Sequence, residues 1–260
     1  MNNPIIDEGI ILSFVPYGET SKIATVLTKE HGKIGVIVRG VRNPKNKLAA
    51  FVDLFTQGEF SLIKGKGSLY TLFDINPLFL PSNPSFFALA GGTLLLEIVN
   101  ILLSEEEQLS LSSYNAFIHS IRECFSSEYA PEKNLFFVQS FLKEEGFQVN
   151  LNICSICQQK VLDDCFYYPQ DGRITHMSCH NKNHSVNTPI QRYSFLMKES
   201  LFLLQAIDHN DLDKVIAMTK IRLPWKNINA FVEEELQYSL GFIPKSWSIY
   251  KNAFTYSNEQ

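Results

Sequence analysis

The chain has 260 residues, 23 Lys and Arg against 27 Asp and Glu, and a formal net charge of -4. With 45% hydrophobic residues and 20 Phe it can bury a core without disulfide staples, and its acidic balance excludes a protein coated in positive charge. The imbalance is uneven: residues 1–80 hold nine Lys/Arg against seven Asp/Glu, and the remaining 180 hold fourteen against twenty.

The opening MNNPIIDEGI has no basic segment followed by an apolar one, so no signal peptide is expected. Strands are predicted at residues 9–15, 21–28, 34–39, 51–63 and 69–75. Turns at 16–19, 29–32 and 64–67 punctuate them with Gly and Pro. Five strands in about eighty residues suit a small OB-type barrel, with an SH3-like barrel as the rival that periodicity leaves open. In the fourth strand, period two puts Val52, Leu54, Phe60 and Leu62 on one face. Phe51, Asp53, Phe55, Gln57 and Glu59 fall on the other. Phe51 and Phe55 then either stack bases or pack a neighbouring domain, and packing is the more usual fate of such residues.

The prolines of residues 77–84 (PLFLPSNP) mark a boundary. Helical periodicity follows at 86–103, 109–125 and 131–146, then at 193–208, 211–221 and 227–240. Pro131 is placed to open the third helix and Gly146 to close it. The apolar run 86–103 is long enough to raise a membrane question, but Gly91, Gly92, Thr93, Glu97 and Asn100 interrupt it, and a buried core helix is expected. The organisation is therefore α+β. A barrel domain at 1–80 precedes a helical domain at 81–250, and a polar, loose tail is expected at 251–260.

Four of the five cysteines lie between residues 154 and 179. Cys154 and Cys157 form a C-x-x-C, and His176 and Cys179 an H-x-x-C, with eighteen residues between Cys157 and His176. That spacing matches two knuckles closing a tetrahedron around one structural Zn²⁺, in a module spanning 154–184. A filled shell leaves no position for substrate. Cys165 and His180 remain possible substitutes for a ligand, and His184 is near. A redox C-x-x-C would want a βαβ context that is not found here.

Residues 39–47 carry Arg39, Arg42, Lys45 and Lys47 and no acid. Lys64 and Lys66 form a second basic turn, and Lys22 and Lys33 could add to the patch. A charge run alone is usually a solvated loop. On a barrel whose loops commonly hold single strands, these six cations become candidate phosphate contacts. No P-loop, G-x-S-x-G, H-E-x-x-H or dinucleotide fingerprint is present. The carboxylates at Glu144 and Glu145, and at Glu105 to Glu107, fit solvated faces, so no enzyme is expected. The alternative to a DNA binder is a zinc-containing interaction scaffold with little DNA affinity.

The chain resembles the RecO family of bacterial DNA-repair and recombination mediators. The likeness rests on Glu8-Gly9-Ile10-Ile11-Leu12 with Tyr17-Gly18-Glu19. It rests further on Arg39-Gly40-Val41-Arg42 with Leu48-Ala49-Ala50 and Leu54-Phe55-Thr56. A helix at 137–146 leading into Cys154-x-x-Cys157 completes it. The resemblance implies an N-terminal OB fold and a helical domain with an inserted zinc module. It implies binding of single- and double-stranded DNA and strand annealing in a RecF-type pathway. The implied partners are RecR, the acidic tail of the single-stranded-DNA-binding protein and, indirectly, RecA, in the bacterial cytoplasm at the nucleoid, without a membrane. Family members commonly use four Cys for zinc; here His176 stands at the third position, which changes the site charge by one unit.

Overall fold

The computed structural model describes residues 4–65, 67–82, 84–126, 131–144, 146–147, 149–183, 192–209, 211–218 and 223–257. Strands β1 (Ile5–Tyr17), β2 (Ser21–Thr28), β3 (Gly32–Val38), β4 (Gln57–Lys64) and β5 (Tyr70–Phe79) close into a barrel in the order β1-β2-β3-β5-β4. Closure depends on the length of β1. Its first half pairs with β4 and its second with β2, and the register shifts between Ile11 and Ser13 on the β2 side. Strand β3 pairs with β5 in parallel, Val36 beside Tyr70 and Ile37 beside Thr71. This is the OB topology.

Alternation along β3 is strict: Gly32, Ile34, Val36 and Val38 are buried and the residues between them are half-buried. The inward set joins Ile11, Ala24, Val26, Phe60, Leu62, Tyr70, Leu72 and Ile75 in one core.

The fourth strand begins later than its sequence pattern suggests. Residues 51–56 form turns, with the amide of Phe51 donating to Leu48 O and that of Thr56 to Asp53 O. Phe55 has a φ of 67°, which no strand accommodates. Val52 nevertheless enters the barrel core, and Phe51 packs against it.

Helices α1 (Phe86–Leu102) and α2 (Leu111–Cys124) follow. Ser85 and Ser110 cap them, each side-chain oxygen accepting from the amide three residues on at 3.1 Å. Among the described residues no helix is long and apolar enough to cross a membrane. Both helices belong with the barrel in one compact unit, Met1–Tyr129. The division by packing thus falls after α2, whereas the sequence pattern changes near residue 80. Arg122 of α2 donates through Nε to the Gln57 side-chain oxygen at 2.9 Å, and Gln57 donates to Glu8. The loop between the helices bridges back to β3, with Lys33 N donating to Glu107 O at 3.0 Å and Glu106 N to Lys33 O at 2.8 Å.

The second unit, Ala130–Gln260, contains α3 (Pro131–Glu144), β6 (Asn150–Cys154), β7 (Cys165–Tyr168), β8 (Arg173–His176), α4 (Met177–Asn183), β9 (Ser194–Leu196), α5 (Lys198–Asp208), α6 (Leu212–Met218), α7 (Trp225–Leu240) and α8 (Lys245–Ser257). The four short strands make a sheet of order β6-β8-β7-β9. Helix α5 clamps it: Gln205 Nε2 donates to the carbonyls of Leu151 at 2.8 Å and Val161 at 3.1 Å. Tyr167 packs on Phe231 of α7 with ring centroids 4.5 Å apart.

The expected loose tail from residue 251 is corrected by α8, which runs on to Ser257. Trp247, Tyr250 and Ala253 bury its apolar face, and Lys251 pairs with Glu233 at 2.5 Å. A polar composition hid an amphipathic helix.

Candidate nucleic-acid interface and metal centre

The loop after β3 is built from successive turns. Asn43 N donates to Gly40 O, Asn46 N to Asn43 O and Ala49 N to Asn46 O. Two asparagine side chains brace it, with Asn43 Oδ1 accepting from Lys45 N and Asn46 Nδ2 donating to Arg39 O. The loop also leans on the β1–β2 turn. Arg42 N donates to Thr20 O at 2.8 Å, Arg42 Nη1 to Gly18 O at 3.4 Å, and Gly40 N to Ser21 Oγ at 3.2 Å. Gly40 takes a φ of 64°, which favours glycine there. Val41 and Val52 anchor the loop in the barrel core.

Arg39, Arg42, Lys45 and Lys47 are all exposed on this frame. Among the described residues none of the four forms an ion pair with a carboxylate.

The other cations of the barrel are placed differently. Strand β4 ends on Lys64, which pairs with Tyr70 of β5, and Tyr70 pairs in turn with Val36 of β3. The Lys64 ammonium pairs with Glu106 at 3.3 Å, and Tyr70 and then Glu106 raise its pKa. Lys66 lies outside the described residues. Lys22 donates to Val52 O at 3.1 Å and stands 3.8 Å from the Phe14 ring centroid. Lys33 donates to Asn100 O at 2.7 Å; burial lowers its pKa, against the opposing pull of Glu105 and Glu107.

Phe55 is buried against α1. Its ring meets Phe125 edge-on with centroids 4.9 Å apart, and its Cε1 lies where a Cβ on Gly92 would stand 2.8 Å away. Packing, not stacking on bases, is therefore the role of Phe55, and Phe51 is likewise half-buried against the barrel core.

In the second unit Cys154, Cys157, His176 and Cys179 come together, their ligand atoms all within 4.8 Å of one another. Strand β6 delivers Cys154, and the tight turn after it delivers Cys157, closed by Gln158 N donating to Cys154 O at 2.9 Å. Strand β8 ends on His176, and the first turn of α4 carries Cys179. Nδ1 of His176 lies 3.3 Å from Cys157 Sγ and 3.9 Å from Cys179 Sγ. Burial pushes the Cys154 thiol up. The backbone N–H groups of Cys157, His176 and Ile156 and the Cys157 side chain outweigh it and bring the pKa to about 6. A ready thiolate among sulfur and imidazole donors is the donor set of a metal knuckle, and this group could hold a metal ion.

The rival ligands are elsewhere. Cys165 is fully buried, its pKa pushed up to about 12 by burial, then by Asp164 and Cys154. His180 places Nδ1 2.5 Å from the Tyr168 hydroxyl and packs tilted on Phe166 and edge-on to Tyr193. His184 lies outside the described residues.

Comparison with known proteins accords with this architecture. Residues 1–79 match the family described as Recombination protein O N terminal, and residues 83–247 match Recombination protein O C terminal. The chain is 33% identical over 172 residues to the DNA repair protein RecO of Bacillus subtilis (strain 168), an alignment covering 65% of this chain and 58% of that protein. It is 27% identical over 208 residues to the DNA repair protein RecO of Listeria monocytogenes serovar 1/2a, covering 79% of this chain and 80% of that one. The chain belongs to the Recombination protein O family.

Proposed function

We propose that this protein is a non-catalytic, DNA-binding mediator of DNA repair and recombination that holds single-stranded DNA on the 39–47 loop. The observation that carries this is the set of four exposed cations, Arg39, Arg42, Lys45 and Lys47, on a loop braced by backbone hydrogen bonds to the β1–β2 turn. Phosphates need cations free of carboxylates, and a braced loop presents them with little ordering cost. Lys64 contributes only where its pair with Glu106 opens. The similarity to proteins named for DNA repair supports the same reading. It extends to the family's wider activities: binding duplex DNA, annealing complementary strands, and assisting RecA loading with RecR on strands coated by the single-stranded-DNA-binding protein, whose acidic tail it would contact.

In this reading Cys154, Cys157 and Cys179 through sulfur, and His176 through Nδ1, would hold one structural Zn²⁺. Bound there, the ion supplies a cross-link between two turns of a small sheet.

Titrating a labelled oligothymidylate over a salt series tests the loop. Four phosphate contacts give a log–log slope of about -3 for a single strand. Arg39→Glu, Arg42→Glu and Lys45→Glu together should abolish most binding and flatten that slope while the barrel still melts normally. Parental affinity in this triple variant would refute the assignment.

A further inference from the structure

The β1–β2 hairpin beside the basic loop carries an aromatic residue for which the fold gives no use. Strand registers place Tyr17 opposite Ser21, Val15 opposite Ile23, Ile23 opposite Ile37, and Ile37 opposite Thr71. Paired residues share a face. Ala24, Val36 and Val38 point into the core, so Tyr17, Val15, Ile23 and Ile37 form a strip on the outside of the barrel. Tyr17 is 52% exposed and Val15 57%. Among the described residues the Tyr17 side chain has no hydrogen-bond, ion-pair or ring partner.

The strip adjoins the loop directly. Gly18 and Thr20, which follow Tyr17 in the turn, accept from Arg42, and Ser21, opposite Tyr17, accepts from Gly40. Arg39 directly follows Val38, which faces the core. Glu19 is exposed in the same turn. Its charge repels phosphates from the hairpin side, while the four loop cations attract them to the other.

We propose that Tyr17, extended by Val15, is a base-stacking platform for the strand whose phosphates lie on the 39–47 loop. This rests on the loop being the DNA site. An uncharged strip with one aromatic ring, beside a row of cations, complements the two sides of a single strand, bases on one and phosphates on the other. It also confers a preference, because a duplex hides its base faces and offers the loop phosphates alone.

The test is anisotropy of the full-length protein with labelled oligothymidylate and with a blunt duplex. Tyr17→Ala should weaken single-strand binding about tenfold, the scale of one lost base stack, with the salt slope and duplex affinity unchanged. Tyr17→Trp should retain affinity, and its added indole emission should be quenched by oligothymidylate and not by duplex. Unchanged single-strand affinity in Tyr17→Ala, or an equal loss on duplex, overturns the stacking role. The loop triple variant separates the two ideas. If it loses both ligands while Tyr17→Ala loses neither, the loop stands and the platform fails. If it loses neither, the loop reading fails and the platform fails with it.

Discussion

His176 places Nε2 3.0 Å from the carbonyl oxygen of Lys160 and Nδ1 3.3 Å from Cys157 Sγ. A carbonyl only accepts, so Nε2 carries the ring proton and Nδ1 turns its lone pair toward the sulfurs. The tautomer required of a metal ligand is set by the knuckle backbone before any ion arrives. His176→Ala should therefore lower the metal content of purified protein from one equivalent and destabilise the second unit. His176→Cys should restore binding, with a fourth thiolate visible in the charge-transfer absorption of the cobalt-loaded form. Full metal content in His176→Ala would remove His176 from the ligand set.

Phe55 and Gly92 make a second coupled pair. A Cβ at Gly92 would stand 2.8 Å from Phe55 Cε1 and 3.5 Å from Phe125 Cε2. Gly92→Ala gains about 1 kcal/mol of helix propensity but loses about 1–3 kcal/mol to overpacking. It should be neutral to destabilising in the parent and stabilising in a Phe55→Ala background, where the ring is gone. Phe55→Ala alone should cost about 3–5 kcal/mol. Denaturant titrations of the four proteins in this cycle give the coupling, and strict additivity would contradict the packing account.

Asp7 fastens the β2–β3 turn. Its carboxylate is 1% exposed and accepts from Glu30 N at 3.2 Å, His31 N at 3.1 Å and His31 Nδ1 at 2.7 Å. Asp7→Ala leaves these donors without their acceptor, at a cost of about 2–4 kcal/mol. Asp7→Asn keeps one acceptor oxygen and should recover part of it. Amide exchange at Glu30 and His31 should rise in step with the loss, and unchanged protection there would refute the role.

Much of this architecture was legible in the sequence because local chemistry and tertiary placement agreed. The β-rich run between two turn signals marks a strand at 34–39, within a residue or two of β3, and the Cys154-to-Cys179 spacing marks the knuckles that the fold brings together. Legibility failed where a long-range partner decides. The alternation at 51–56 continues into β4, yet Phe55 turns left-handed to reach Gly92. Strands β6 to β9 are three to five residues long, too short for a period to show. Lys64 resembles Lys45 in the sequence, and only the fold shows that Lys64 meets a carboxylate, that of Glu106 at 3.3 Å. Tyr17 looked like a turn residue, because its face is defined by registers that no local pattern encodes.

Glu235 makes the second unit sensitive to pH. It lies on α7, 3% exposed, and accepts from Gln139 Nε2 of α3. Lys143, also on α3, is spent on Asp208 at 2.9 Å. Burial raises the Glu235 pKa to about 7, with Asp208 adding to the rise and the Gln139 hydrogen bond opposing it. An unfolded Glu titrates near 4.3, so between about pH 4.5 and 7 the folded chain keeps a proton that the unfolded chain has released. Stability from this group is fully present below that window, falls as pH rises through it, and levels off above 7, a loss of about 3 kcal/mol. Trp225 and Trp247 both belong to the second unit and report its unfolding by fluorescence. Glu235→Gln, which cannot ionise, should be more stable than the parent at pH 8 and nearly equal to it at pH 5. Taking the difference between the two proteins at each pH cancels protonation of the cysteine cluster. A difference that does not change between pH 5 and 8 would show that Glu235 is already ionised in the folded protein at the lower pH.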